Sequence, residues 1–292
     1  MKKYIKYIDD NLEFNSIYGK SYSIARLLLS LSTFVTIAFN DEQRLFNISF
    51  VQHPNIKAIF LSRFSIFNLC YPNNLLFAKI FSCSILFFIM LGFLPRITAF
   101  FQWWLSFSVY ASAYITEGGD QINMILSFLI IPICLFDNRV NFWKTNNTNI
   151  NIGINPKITI FISIIIIKFQ IALLYFISGF SKIYNDQWRE GTALYYWVGN
   201  NDIGFNKFIE PFFRAIFNNR YILFFSTWSI MIFEIIFSFV LITNLNKKLF
   251  FRIGLLFHFL IFFCFGLFSF GLSMSAALFL YFLQINKNKN NE

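Results

Sequence analysis

ITIFISIIIIKFQIALLYFISGF, the stretch Ile158–Phe180, decides the fold of this chain. It is an almost unbroken apolar run whose only charged residue is Lys168. A helix needs roughly 20 mostly apolar residues to cross the hydrocarbon core of a bilayer, and this run is long enough. The stretch therefore predicts a transmembrane helix and an integral membrane protein.

The composition of the whole chain agrees with a membrane location. Of its 292 residues, 57% are hydrophobic and only 13% are charged, whereas a soluble domain carries about 25% charged residues. The formal net charge is +10, which in a soluble protein would suggest nucleic acid as a partner. In a membrane protein, basic residues lie in loops and fix the orientation. We therefore expect the lipid bilayer, and no nucleic acid, as a partner.

Apolar segments recur along the chain, and we predict an all-α polytopic membrane protein with about eight transmembrane helices. The predicted spans are Ser21–Phe39, Leu75–Phe93, Thr98–Ile115, Ile122–Phe136, Ile158–Phe180, Tyr221–Leu241, Phe250–Phe268 and Leu272–Leu283. In terms of domains, residues 1–20 form a cytoplasmic N-terminal segment, 21–284 the transmembrane domain and 285–292 a cytoplasmic tail.

The distribution of Lys and Arg predicts the orientation of these spans. Short loops rich in basic residues face the cytoplasm, which places both termini inside. The loops Asn40–Asn74 and Ser181–Arg220 and the turn Thr116–Gln121 then lie outside. The second loop contains YYWVGN (Tyr195–Asn200) and IEPFFRAIF (Ile209–Phe217), which are typical of amphipathic helices at the membrane surface.

Neither a disulfide framework nor a metal site is expected. The four cysteines have no paired spacing, as a disulfide or zinc pattern would require. The two histidines, His53 and His258, lie far apart in the sequence. A lone histidine in an apolar run, such as His258, is more often hydrogen-bonded to a neighbouring helix than bound to a metal.

Five ionisable residues fall inside predicted spans, where charge is costly and normally faces the interior of the bundle. Arg26 and Lys79 lie near span ends, which favours side chains that extend to the interface. Lys168 and Glu234 both fall near mid-depth. They form either a buried ion pair or part of a proton relay or polar substrate site, and the sequence leaves these alternatives open. His258 could belong to the same relay or site.

The segment EGGDQ, Glu117–Gln121, joins two apolar segments. Two glycines allow a tight turn with positive φ, and Asp120 is a good cap for the helix that follows. The functional alternative is that Glu117 or Asp120 faces Lys182, because both sites lie on the outer side in the predicted orientation.

Charge also appears abruptly after the span Ile158–Phe180. Lys182, Asp186 and Glu190 are spaced i, i+4 and i+8, so they share one face if the stretch is helical. Neighbouring carboxylates favour a charged lysine, whereas a lysine that acts as a base must be neutral. A solvated salt bridge and a catalytic cluster both fit this pattern.

The run YFISGFSKIYNDQWREGTALYYWV, Tyr175–Val198, resembles the signature of the HTTM family, which includes the membrane domain of vitamin K-dependent γ-carboxylase. In that signature an apolar span ends in Gly and is followed by Lys, then Trp and Gly, here Lys182, Trp188 and Gly191. Further segments agree in order and spacing, and the resemblance covers about residues 18–284. These segments are SIARLLLSL with Arg26, Gly118–Arg139, and Phe257–Met274 with His258.

The resemblance implies that Lys182 acts as a base, with a reduced quinone as the cofactor it would deprotonate. At the position of the carboxylase's catalytic histidine this chain has Gly119, Asp120 and Gln121. A short HTTM protein with GGD at that turn looks more like the bacterial group named after sporulation-delaying protein B. That group accompanies small secreted antimicrobial peptides and works with an accessory protein.

Our leading hypothesis is therefore a component of the bacterial cytoplasmic membrane that helps to mature an exported antimicrobial-peptide precursor. Lys182, Asp120, Glu190 and His258 are the candidate catalytic residues. A quinone-dependent γ-glutamyl carboxylase-like enzyme is one alternative, and a non-enzymatic immunity or transport component is another. The sequence has no Ser–His–Asp pattern, no HExxH and no Cys–His pair, so a self-sufficient protease is not expected.

Overall fold

The computed structural model describes residues 17–46, 62–144, 153–200 and 204–284. The predicted tail 285–292, most of the predicted N-terminal segment and His53 lie outside these ranges. The described helices are α1 (Lys20–Phe39), α2 (Glu42–Leu45), α3 (Ile66–Cys70), α4 (Leu75–Met90), α5 (Pro95–Ser112), α6 (Gly118–Leu129), α7 (Ile131–Leu135), α8 (Ile154–Lys182), α9 (Asp186–Arg189), α10 (Ala193–Val198), α11 (Glu210–Phe217), α12 (Arg220–Phe239), α13 (Lys247–Phe265) and α14 (Phe268–Tyr281).

Each predicted span is helical in the described part of the chain, which confirms the all-α prediction. Within the described ranges, five helical segments are long and apolar enough to cross a membrane: α1, α6 together with α7, α8, α12 and α13. The apolar helices α4 and α14 are shorter. The number of eight spans, the orientation of the termini and the interfacial position of α10 and α11 stay predictions.

Helix boundaries follow local chemistry. Pro132 lacks the backbone N–H that a continuous helix requires, and the predicted span Ile122–Phe136 is divided nearby into α6 and α7. The Asn219 and Asn246 side chains accept backbone N–H groups at the starts of α12 and α13, as N-cap residues do. Gly266 ends α13 with φ +69°, a left-handed conformation that suits glycine.

The chain divides into two compact units. The first contains residues up to Ile167 together with the C-terminal part from Phe268, and the second contains Lys168–Leu267. In the first unit, α1 packs along α14 and α4, and α6 packs against α5 and α14. Its apolar core includes the rings of Phe46 and Phe67, which are stacked with centroids 3.6 Å apart.

Arg26 lies inside the first unit, so the prediction that it extends to the interface was wrong. It is fully buried, and its guanidinium donates to Gln102 Oε1 at 3.2 and 3.3 Å, to Thr98 Oγ1 at 3.2 Å and to Pro95 O at 3.4 Å. These residues lie on α5. Because a buried charge is tolerated only where hydrogen bonds replace water, Arg26 fixes the pairing of α1 with α5.

Lys79, near the start of α4, pairs with polar groups that follow α1. Its Nζ donates to Asn40 O at 2.8 Å and to Glu42 Oε2 at 3.0 Å. The Glu42 backbone and the Lys79 ammonium both lower the pKa of the Glu42 carboxyl. This ion pair joins α4 to the short helix that follows α1.

The EGGDQ segment differs from the predicted tight turn, because neither glycine has positive φ. Instead, Gly118 and Gly119 form the first turn of α6, and Gly119 lies directly against the backbone of α14. A Cβ at this position would lie only 2.8 Å from the carbonyl carbon of Ser269. Close backbone approach, rather than turn geometry, therefore requires glycine here.

Candidate functional site

The last turns of α8 carry polar side chains toward α12 within the second unit. Tyr175, Ser178 and Lys182 are spaced i, i+3 and i+7, so they share one helix face. Between them, Gly179 marks a close crossing with α12, since a Cβ there would lie 2.9 Å from Ile235 Cγ1 and 3.1 Å from Glu234 Cβ. The small residue allows this approach and thereby brings Glu234 to the end of α8.

Lys182 forms a compact cluster with Glu234 and Ser178, which we call the Lys182 cluster. Its Nζ donates to Glu234 Oε2 at 2.5 Å, to Ser178 Oγ at 2.9 Å and to Ser178 O at 3.2 Å. The two charged side chains are 18% and 9% exposed. All three ammonium hydrogens therefore have acceptors, and the ion pair is largely removed from water.

The Trp188 ring covers the Lys182 cluster. Its centroid lies 5.1 Å from Lys182 Nζ, a cation–π distance. The indole is buried against Met231 and Ala193. Gly191 follows with φ +75° and lies against Phe224 of α12, where a side chain would be strained and would collide. Trp188 and Gly191 thus hold the segment after α8 against α12.

Asp186 and Glu190 do not share a helix face with Lys182, because the stretch is not one continuous helix. The helix α8 ends at Lys182, and α9 begins at Asp186 after a turn. Asp186 pairs with Arg189 at 2.6 Å on the surface. Glu190 is exposed and makes no ion pair within the described ranges. A catalytic role for Glu190 stays a prediction.

The sequence allowed a buried ion pair between Lys168 and Glu234, and the structure contradicts it. The partner of Glu234 is Lys182. Lys168 lies on α8 four turns before Lys182, because an α-helix has about 3.6 residues per turn. A role of Lys168 in a polar pathway stays a prediction.

His258 is buried on α13 and hydrogen-bonds to a neighbouring helix, as expected for a lone histidine in an apolar run. Its Nε2 lies 2.6 Å from the hydroxyl of Tyr175 on α8. Tyr175 also packs on Phe237, with ring centroids 4.4 Å apart. This contact ties α8 to α13 roughly two turns from Lys182, and a catalytic role for His258 stays a prediction.

Two side-chain donors of α12 are buried without a hydrogen-bond partner among the described residues. They are Thr227 Oγ1 and Trp228 Nε1. Thr227 lies on the face of α12 that carries Met231 and Glu234, at i+4 and i+7. Trp228 packs with Trp188 and Met231. An unpaired donor in an apolar environment is costly.

Asp120 belongs to a separate cluster in the first unit. Its carboxylate accepts the Glu117 backbone N–H at 3.0 Å and the Thr36 hydroxyl at 3.2 Å. Ser269 donates to Glu117 Oε2 at 2.8 Å. Asp120 is therefore not the N-cap that the sequence predicted: Glu117 is the N-cap, and Asp120, the third residue of α6, accepts its backbone N–H. Asp120 links this helix end to α1, and Glu117 links it to α14. Its catalytic role and the pairing of the EGGDQ segment with Lys182 stay predictions.

Metal binding finds no support in the described ranges, which contain no group of three or more His, Cys, Asp or Glu side chains that could hold an ion. Lys182, Trp188 and Gly191 could be found from the sequence, because they are a charged residue, a tryptophan and a glycine directly after an apolar run. Sequence reasoning missed Ser178, since a serine four residues before a lysine is too common a pattern to attract notice.

Comparison with known proteins gives two relatives. Sporulation-delaying protein SdpB of Bacillus subtilis (strain 168) is 29% identical over 272 residues, which cover 93% of this chain and 83% of the relative. The uncharacterized protein YitO of the same organism is 29% identical over 293 residues, covering 98% of this chain and 91% of the relative. No family model and no solved structure matches. The similarity supports the grouping with SdpB-like proteins predicted from the sequence, whereas the broader HTTM resemblance stays a prediction.

Proposed function

We propose that this protein is a membrane component of a bacterial peptide-toxin system of the sporulation-delaying type, and that it helps to mature an exported peptide precursor. The observation that carries the proposal is the similarity to SdpB along 93% of the chain. The five apolar helices fit a protein that meets its substrate at the cytoplasmic membrane.

The Lys182 cluster is the proposed site of action. A largely buried ion pair is weak evidence for stability, because the cost of removing both charges from water offsets their attraction. Functional sites are where such costly arrangements are concentrated. In the predicted orientation the cluster lies toward the outer side, where an exported precursor arrives, and an accessory protein of the same system would present it.

The test is mass spectrometry of the peptides secreted by cells with the gene, without it, and with Lys182→Ala. The exposed Lys248 of α13 provides the matched control, Lys248→Ala. The proposal expects mature peptide from the wild type and from the control, and only unprocessed precursor from the deletion strain and from Lys182→Ala. Equal peptide masses in all four strains would refute it.

The same experiment separates the alternatives. A carboxylase-like enzyme would add the mass of CO2 to a glutamate of the peptide, with chain length unchanged. An immunity or transport component would change survival or secretion of the peptide, and would leave its mass unaltered.

A further inference from the structure

The Lys182 cluster contains the parts of a serine–lysine hydrolytic site. We propose that Ser178 is a nucleophile and Lys182 its general base, and that the second unit cleaves a peptide bond of the precursor. This inference rests on the proposed function and specifies its reaction, since the sequence alone had indicated no protease.

The geometry between nucleophile and base supports the assignment. Ser178 Oγ lies 2.9 Å from Lys182 Nζ, within the reach of about 2.6–3.2 Å that a nucleophile and its base require. The two residues are one turn apart at the end of α8, so the helix fixes their separation. Glu234 contacts the same Nζ at 2.5 Å and acts as the third group that orients the base.

The hydroxyl of Ser178 also differs from those of other helical serines in this chain. Ser30, Ser84 and Ser163 each donate to the carbonyl four residues earlier, at 2.8 to 2.9 Å, the usual arrangement for serine within a helix. Ser178 makes no such bond among the described residues. Its Oγ accepts a hydrogen bond from Lys182 Nζ, and its side chain also hydrogen-bonds to the Glu234 carboxyl. Ser178 is also partly exposed, as a group that attacks a substrate must be.

A lysine base must first become neutral. Transfer of one proton from Lys182 Nζ to Glu234 Oε2 converts the ion pair into a neutral amine and a neutral carboxylic acid. Shielding from water reduces the advantage that solvation gives the charged pair, so this transfer becomes accessible while the ion pair stays the resting state. The Trp188 ring supplies that shielding on one side of the cluster. The lone pair of Nζ at first faces the new O–H group of Glu234, and rotation about the Cε–Nζ bond turns it toward Ser178 Oγ.

The reaction balances with water as the only co-reactant. Ser178 Oγ bonds to the carbonyl carbon of the peptide as its proton passes to Lys182 Nζ. The C–N bond then breaks, and Lys182 gives this proton to the leaving amine, which leaves an ester on Ser178. Water attacks the ester, and its proton passes through Lys182 to Ser178 Oγ as the ester C–O bond breaks. The products are a free carboxyl and a free amine.

The experiment compares Ser178→Ala with Ser163→Ala, a serine of the same helix that bonds its own turn. Both variants keep the Lys182–Glu234 ion pair, so we expect both to fold. The amount of protein in the membrane and the temperature of thermal unfolding check this. Ser178→Ala should reduce mature peptide at least about 100-fold while precursor accumulates, because the variant has no nucleophile for the base to activate and acid–base catalysis alone contributes about 10²–10⁴-fold. Ser163→Ala should process the precursor as the wild type does.

A second variant tests the chemistry independently. Ser178→Cys should keep part of the activity and become sensitive to a thiol-alkylating reagent that does not inhibit the wild type. In a digest of the inhibited variant, the alkylated fragment of this protein should contain residue 178. If the deletion strain fails to process the precursor but Ser178→Ala processes it normally, the assignment of Ser178 as nucleophile is overturned and the proposed function stays intact. Normal processing by the deletion strain would overturn the proposed function itself.

Discussion

Removal of the Glu234 carboxylate should destabilise the second unit strongly. In Glu234→Gln, Lys182 keeps both contacts to Ser178 and loses its counter-ion, while the surroundings stay largely dry. Breaking a buried ion pair by removing one partner costs about 3–5 kcal/mol. Because the Lys182 side chain is 18% exposed, we expect the lower part of that range, about 3 kcal/mol.

Removing both charges should cost much less than removing one. The double variant Glu234→Gln with Lys182→Met leaves no isolated charge, and replacing both members of a buried pair by uncharged groups is often close to neutral. We expect it to unfold within about 1 kcal/mol of the wild type. The Lys182→Met substitution alone should be less damaging than Glu234→Gln, since a carboxyl group can be neutralised by a proton.

Thermal unfolding of the purified protein in detergent is the assay, with all four proteins in the same buffer and at the same concentration. A loss of about 3 kcal/mol corresponds to a Tm decrease of roughly 5 °C, because the entropy of unfolding is about 2.1 cal/mol/K per residue and the chain has 292 residues. The reasoning is refuted if Glu234→Gln unfolds at the wild-type temperature, or if the double variant is as unstable as the sum of the single variants.

Three further predictions concern other contacts. Gly119→Ala should lower the Tm and the amount of protein in the membrane, because a Cβ there meets the backbone of α14; Gly118→Ala, whose Cβ would make ordinary contacts at 3.8 Å, is the control. Tyr175→Phe removes the 2.6 Å contact to His258 and should cost about 1–2 kcal/mol, measured as a Tm shift at constant pH. The Glu42 carboxyl has a lowered pKa in the folded protein, so its ion pair with Lys79 stabilises above the unfolded pKa and is lost as the pH falls through the folded value. The Tm difference between wild type and Glu42→Gln should therefore be present at neutral pH and vanish in acid.

Much of the helical architecture could be predicted from local sequence. The apolar run Ile158–Phe180 predicts a helix, and α8 covers the whole run and extends beyond it at both ends. Hydrophobic length determines this, because a backbone in lipid must satisfy its own hydrogen bonds. The same reasoning could not determine where α8 ends. The i, i+4, i+8 spacing from Lys182 to Glu190 left a continuous helix open, whereas α8 stops at Lys182.

Pairings between helices were the part that sequence reasoning could not supply. Glu234 could be matched to any lysine at a similar depth, and Lys168 was the natural candidate. The actual partner depends on the crossing at Gly179, which is a property of two helices together and not of either one. Arg26 shows the same limit, since its partners lie on α5 and no local pattern connects them to α1.

The candidate site was therefore located but incompletely described by the sequence. Lys182, Trp188 and Gly191 stood out because charge, tryptophan and glycine interrupt an apolar context. Ser178 and Glu234 acquire meaning only when the helices are assembled. Their contacts with Lys182 change its interpretation from an exposed cluster with Asp186 and Glu190 to a shielded group with a hydroxyl within reach.

The most direct test of the central claim is the mass of the secreted peptide from cells that carry wild-type protein or Lys182→Ala, with Lys248→Ala as control. The account predicts mature peptide from the wild type and the control, and unprocessed precursor from Lys182→Ala at equal levels of membrane protein. Mature peptide of unchanged mass and amount from Lys182→Ala would contradict it.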